Sequence, residues 1–369
     1  MRRVVVFIAV GIALYASPAW SQTCTTFAVQ TGQLPIMLTG KIAYEDETVN
    51  PNENIDHFLY VYDFSKGGSP TKVPLTDING VALSGQENPV FTPDGSAILF
   101  AAISTVNDNQ EFDLFYWNIT SGKNPTNITS SMGNNRDEDV KFSPDGNSIV
   151  WKEATGIVTA NFSVDAQGNP IISNEKMLVG GQIGTSNEKS GPVFSPDQKY
   201  VYYYLGDAAP FSVQRYDSAS TSTPTSEAFP QDLSLTHYYP VYPDLYNFMY
   251  VGWLPQTSTT CPTTSPILKC YDKVFVRAKL PAAGTAWNAT DCVADNSDPA
   301  PVDADHFIYS RDNNPDGTTS YELYLGEISS GKSWSLSSFG INISGGSFVG
   351  SNYTGLMSAP AARRTGGLP

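Results

Sequence analysis

Histidine is nearly missing from this sequence of 369 residues, which has only His57, His237 and His306. A metal centre built from several imidazoles therefore has little material, and no His-Glu-x-x-His pair offers the helical zinc site of a metalloprotease. There is no glycine-rich phosphate loop and no Gly-x-Ser-x-Gly turn to present a serine nucleophile, so nucleotide hydrolysis and α/β-hydrolase chemistry lack their residues. No long stretch shows helical periodicity with caps, which speaks against a helical fold. Positive charge is short: 21 Lys and Arg stand against 36 Asp and Glu, for a formal net charge of −15. A field of that sign opposes nucleic acid and anionic lipid and favours cationic partners or metal ions. After Ala16 no apolar run approaches the roughly 20 residues that a bilayer span needs, so membrane insertion is not expected.

The N-terminal segment reads as a targeting signal. Arg2 and Arg3 precede the apolar run Val4–Ala16, Pro18 breaks it, and Ala19-Trp20-Ser21 sets small residues where a signal peptidase cuts. Residues 1–21 are expected to be removed, leaving a secreted or periplasmic chain. All four cysteines (Cys24, Cys261, Cys270 and Cys292) follow that segment. An even number in an exported chain suggests two disulfides, for which three connectivities exist. Cys261 and Cys270 flank a turn-rich stretch, which favours a local Cys261–Cys270 bridge and, by elimination, Cys24–Cys292. No Cys-x-x-Cys pair supports zinc instead.

A repeat organises the remainder. Phe91-Thr92-Pro93-Asp94-Gly95 recurs as Phe142-Ser143-Pro144-Asp145-Gly146 and as Phe194-Ser195-Pro196-Asp197-Gln198, with worn copies at Tyr242-Pro243-Asp244 and Val302-Asp303-Ala304-Asp305. The step is about fifty residues, the length of a propeller blade. Proline pre-sets φ, aspartate caps its own turn and glycine accepts a positive φ, so the motif is a tight turn. A β-rich run follows each copy (AILFAA, SIVWK, YVYYYL, NFMYVGW, HFIYSR), then a polar loop and a second alternating run such as FDLFYWNI or YELYLGEI. Short strands rich in Val, Ile and aromatics, separated by turn residues, make the chain all-β.

These residues resemble the TolB-like propeller repeat: the Phe-Ser-Pro-Asp-Gly turn, the apolar strand, and then an acidic-apolar-aromatic strand at Asp113-Leu114-Phe115-Tyr116 and Tyr321-Glu322-Leu323-Tyr324. The similarity covers roughly residues 38–350. It implies six four-stranded blades whose second strands begin near Ile42, Ile98, Ile149, Val201, Phe248 and Phe307, with seven blades as the alternative. The first repeat lacks its own Pro-Asp-Gly strand. A late strand at Gly345–Val349 is expected to complete it, so that N- and C-terminal strands close the ring and remove its sheet edges. Residues 22–358 would form the propeller and 359–369 an unstructured tail. A ring closed within one chain needs no second copy, so a monomer is expected. Lys41-Ile42-Ala43-Tyr44 comes too soon for the α/β domain that precedes the propeller in TolB, and there is no room for a peptidase's hydrolase domain.

The resemblance places the Pro-Asp-Gly turns on one face and the stretches leading into each innermost strand on the other, near the axis. Carried onto this sequence, those stretches hold Glu87, then Asp137, Glu138 and Asp139, then Glu188, then His237, Tyr238 and Tyr239, and then Asp298. An acidic, partly aromatic mouth results. Tyrosines there could stack on a sugar face or an apolar side chain while carboxylates accept hydrogen bonds. The expected function is therefore non-catalytic binding of a protein or glycan. The alternative is a polysaccharide lyase or glycoside hydrolase using the same mouth, since crowded carboxylates can split their pKa values. No cofactor is expected, although crowded carboxylates would suit Ca²⁺. Propeller lyases acting on pectic fragments use a histidine-rich cluster; here His57 falls in a hairpin and His306 just ahead of a strand, so the three are not expected to meet.

Overall fold

The computed structural model describes residues 27–49, 55–104, 111–130, 136–195, 197–205, 212–217, 225–226, 236–241, 247–253, 272–278, 286–288, 295–303, 305–312, 321–339 and 352–353. The expected signal peptide, all four cysteines, the Gly345–Val349 run and the tail lie outside these residues.

The described chain is all-β apart from a 3₁₀ turn at Ser337–Phe339. It opens with β1 (Ala28–Gln30), then β2 (Lys41–Val49), β3 (Ile55–Asp63) and β4 (Thr71–Lys72). Four strands follow as β5 (Leu83–Phe91), β6 (Ala97–Ser104), β7 (Phe112–Asn118) and β8 (Thr126–Asn127). Next come β9 (Glu138–Phe142), β10 (Ser148–Glu153), β11 (Gly156–Val164) and β12 (Pro170–Gly180). The fourth group is β13 (Lys189–Phe194), β14 (Tyr200–Leu205), β15 (Ser212–Asp217) and β16 (Thr225–Ser226). The fifth is β17 (Thr236–Val241), β18 (Asn247–Trp253), β19 (Asp272–Ala278) and β20 (Ala286–Asn288). The last is β21 (Asp295–Pro301), β22 (His306–Asp312), β23 (Tyr321–Glu327) and β24 (Lys332–Ser335), and β25 (Asn352–Tyr353) ends the described chain. Among the described residues the strands β2–β24 form six antiparallel sheets, each of strands consecutive in the chain, and β1 and β25 join the sixth and the first of them. Every second strand begins where the repeat places it.

Each sheet packs face to face on the next, and the middle strands show why the sequence runs are apolar throughout. Successive side chains point to opposite faces of a strand. In β6, Ile98, Phe100 and Ala102 join Ala43, Leu59 and Val61 of the first blade, while Ala97, Leu99 and Ala101 join Val140, Ile149 and Trp151 of the third. In β10, Val150 turns the other way, onto Val201 and Tyr203 of the fourth blade. Ile42, Tyr44 and Tyr62 pack on Ile308, Leu323 and Leu325, which joins the sixth blade to the first. Contacts of β17 with β13 and β14, and of β21 with β18 and β19, complete the circle. The molecule is a β-propeller.

Both chain ends close the ring. β25 pairs with β2 and supplies the innermost strand that the first repeat lacks. This closing strand lies a few residues beyond the run expected for it. β1 adds a fifth strand to the outer edge of the sixth blade, parallel to β24, and Phe27 beside it packs with Phe307, Tyr309 and Tyr324.

The turn between innermost and second strands is the same in three blades. The hydroxyls of Thr92, Ser143 and Ser195 donate to Asp94, Asp145 and Asp197 at 2.7, 2.6 and 2.7 Å. Each hydroxyl also accepts an amide five residues on, from Ala97, Ser148 or Tyr200. Burial opposes ionisation of these aspartates, but the hydroxyl and amide donors outweigh it and hold all three carboxyls low. Gly146 takes φ 75° here, and a Cβ on it would stand 2.4 Å from Cγ of Pro93 in the preceding blade's turn. Gly146→Ala should therefore cost about 1–2 kcal/mol from the left-handed backbone alone, with the Pro93 collision added. A lowered urea midpoint is expected; an unchanged one would mean that Gly146 neither holds a left-handed backbone nor meets Pro93.

Candidate functional site

The innermost strands share a second repeated device at their other end. Pairing with the second strand breaks register between Glu87 and Val90, Ser190 and Val193, Tyr238 and Val241, and Ser297 and Ala300. In the third blade Glu138 pairs with Lys152 but Lys141 with Val150, so the shift falls at the equivalent place. The skipped pairs are Asn88-Pro89, Asp139-Val140, Gly191-Pro192, Tyr239-Pro240 and Asp298-Pro299. Proline fits where no ladder N–H is needed. Asn88, Asp139 and Gly191 adopt φ of 53°, 55° and 57°, a region that Asn, Asp and Gly reach most readily. Such bulges re-aim side chains and recur beside functional sites. Asp139 uses the bulge to bridge blades, since its Oδ2 accepts the Gly191 amide at 3.0 Å from the equivalent position of the fourth blade.

This register sorts the expected mouth residues. Gln86, Asp137, Lys189 and His237 occupy one position; Glu87, Glu138, Ser190, Tyr238 and Ser297 the next; Asn88, Asp139, Gly191, Tyr239 and Asp298 the bulge. The first position is structural wherever its side chain is described. Gln86 is fully buried, accepts from the Leu59 amide and donates to the Pro74 carbonyl across the seam between blades one and two. Asp137 is also fully buried and accepts from Trp151 Nε1 at 3.0 Å. Lys189 donates to Asn187.

The sector at blades three and four is charge-balanced. Lys152 lies 2.8 Å from Glu188 and 3.4 Å from Glu138, joining the two blades. Arg136 pairs with the other oxygen of Glu138 and lies over the Phe112 ring. Burial would raise the Glu188 pKa, but donation from Lys152 and the Gly184 amide holds it below the ordinary range.

The seam of blades one and two is different. Glu45 on β2, His57 on β3 and Glu87 on β5 bring ligand atoms within 4.8 Å of one another. Glu45 is fully enclosed, and His57 Nδ1 contacts its Oε1 directly. Burial pushes the Glu87 carboxyl up to about 8; the charges of Glu45 and Asp139 add to the shift, and His57 and Arg136 offset part of it. Carboxylates of three successive blades therefore sense one another here. Glu45 and His57 were not among the expected residues, because the first blade has no Pro-Asp-Gly turn from which to count.

His306 sits at the opposite end of its blade. Its Nδ1 lies 2.9 Å from Asp303 and its Nε2 3.4 Å from Glu327. The hydrogen bond that its Nδ1 donates to Asp303 raises its pKa although burial opposes this. His57 and His306 therefore do not meet. The side chains of His237, Tyr238, Tyr239 and Asp298 lie outside the described residues, although their strands are placed.

With this geometry in hand, the class is an enclosed β-propeller with an acidic end, and solved structures share the architecture. TolB from Acinetobacter baumannii gives a TM-score of 0.52 at 14% identity, over 87% of this chain and 68% of its own. Kuenenia stuttgartiensis hydrazine synthase gives 0.53 at 12% identity, over 86% of this chain and 47% of its own. A GH74 enzyme from Niastella koreensis gives 0.50 at 14%, over 85% and 47%. At these identities the likeness shows the fold. No protein family profile and no curated protein matches the sequence.

Burial, reinforced by Glu153 and partly offset by Thr129, pushes the Asp137 carboxyl up to about 8. A carboxyl with a raised folded pKa stabilises most below its unfolded value, and that contribution is lost as pH rises toward 8. Asp137→Asn keeps an acceptor for Trp151 without the ionisation. Thermal melts of the wild type should lose ground to Asp137→Asn steadily from pH 5 to pH 8.5; parallel curves would show that Asp137 is not the titrating group.

Proposed function

We propose that this chain is an exported, non-catalytic binding propeller whose acidic axial mouth takes a protein segment carrying basic side chains, in preference to a glycan. The observation that carries this is the gathering of Glu45, Glu87 and Asp139 from blades one, two and three around one seam. A lysine or arginine reaching Glu87 would favour its ionised form and offset its repulsion by Glu45 and Asp139, and charge-assisted bonds of this kind are the stronger ones. The neighbouring sector is already neutralised by Lys152 and Arg136, so the attraction is confined to part of the rim. The bulge bridge from Asp139 to Gly191 keeps the rim pre-shaped, which limits the ordering cost of binding. The formal charge of −15 adds long-range attraction for a basic partner. Export to the periplasm or beyond is supported by Arg2, Arg3 and the apolar run Val4–Ala16. No helix among the described residues is long and apolar enough to cross a membrane.

The test is a binding panel of basic peptides, neutral peptides and glycans on the signal-free protein, with polysaccharides assayed for new reducing ends. Basic peptides should bind, more weakly as salt rises, and Glu87→Gln with Asp139→Asn should weaken them at least tenfold. Binding of glycans alone, or release of reducing ends, would replace this proposal with a glycan-binding or a hydrolytic function.

A further inference from the structure

We infer that Glu45, His57 and Glu87 form a binding site for one divalent transition-metal ion, best matched by Zn²⁺, at the seam of blades one and two. The pairing of β2 with β3 creates half of it. Glu45 lies opposite Leu59 and His57 opposite Glu47, so residues 45 and 57 are diagonal neighbours on one sheet face. That face carries Ala43, Leu59 and Val61 against the second blade. Glu87 completes the set from β5 across the seam, one residue before the bulge at Asn88. Ligand atoms 2.1 Å from a tetrahedral ion stand roughly 3.4 Å apart; the three here lie within 4.8 Å, so modest side-chain rotation brings them to an ion.

The donor chemistry selects the ion. Ca²⁺ and Mg²⁺ take oxygen ligands, whereas an imidazole with two carboxylates suits Zn²⁺ and its first-row neighbours. Three protein ligands leave a fourth position, the pattern of a zinc site that keeps a water or ligand rather than a closed structural site. Glu45 is fully buried and its partner strands are held by a nine-residue hairpin register and by Gln86, which accepts the Leu59 amide at 3.2 Å. All three ligands thus stand on paired strands rather than on loops. The site shares Glu45 and Glu87 with the proposed mouth, so an ion there would compete with a basic side chain; metal uptake is read with no macromolecular ligand present, which keeps failure of one reading distinct from failure of the other.

Signal-free protein stripped with chelator would be titrated with Zn²⁺, and separately with Ca²⁺, by calorimetry, with thermal melts of each sample. Zn²⁺ should bind at one equivalent and raise the melting temperature, and Ca²⁺ should be at least tenfold weaker. His57→Ala and Glu87→Gln should each weaken Zn²⁺ at least tenfold. Glu87→Gln is close to isosteric, so it keeps the test open if His57→Ala fails to fold. Asp305, His306 and Glu327 form a second cluster at the far end of the ring, and His306→Ala should leave the one-equivalent binding intact. Absence of stoichiometric binding, indifference to Glu87→Gln, preference for Ca²⁺, or loss in His306→Ala would each overturn the assignment. Peptide binding that survives chelation would separate this site from the mouth's own function.

Discussion

Burial of both faces of every middle strand is the constraint on which this structure depends. A sheet such as β5–β8 has Ile98, Phe100 and Ala102 on one side and Ala97, Leu99 and Ala101 on the other. Neither face can stand in water, and at about 25 cal/mol per Å² of apolar surface no single sheet covers its own cost of ordering. Stability therefore resides in the seams between blades. A polar group that enters a seam is costly without a partner, and three of the buried ones bridge their surroundings: Gln86 spans two blades, Asp137 accepts a hydrogen bond from Trp151 Nε1, and Asp139 accepts one from the Gly191 amide.

The two ends of the innermost strand divide the work. At one end the Ser/Thr-Pro-Asp-Gly turn is fixed first by its own hydroxyl and carboxylate, bonded within six residues, and then touches the turns of neighbouring blades. At the other end a bulge with a left-handed residue turns the chain and leaves acids near the axis. The seam at blades three and four neutralises its acids with Lys152 and Arg136, while the seam at blades one and two gathers Glu45 and Glu87 around the imidazole of His57. Charge is thus unequal around a ring whose backbone repeats, and that inequality distinguishes one sector as a site.

Much of the fold was legible because its signals are local. The turn chemistry at Pro93, Pro144 and Pro196 occurs at a constant step, and two-sided burial makes the second strands continuous apolar runs. β1 and β25 were harder to find, since three and two residues cannot display an alternation; their strand character comes from the partner edge. Glu87, Asp139 and Glu188 were expected only as members of the stretches leading into each innermost strand, which the resemblance placed near the axis. Asp137 belonged to the same stretch, but the alternation of side chains turns it into the seam. The recurring Pro at 89, 192, 240 and 299 marks the bulge and was available in the sequence. Glu45 and His57 were not countable, because the blade that carries them borrows its turn-bearing strand from the far end of the chain.

That borrowing also bears on how the ring is made. β2, β3 and β4 are synthesised first, yet their sheet stays one strand short until Asn352–Tyr353 emerges hundreds of residues later. β1, earlier still, waits for β24. The first-made parts of the molecule are therefore finished by the last-made, and circular closure becomes a single late event. A chain interrupted before β25 would keep an open edge on β2, beside the strands that carry Glu45 and His57. The two residues of the closing strand thus remove an edge that would otherwise template pairing with another chain.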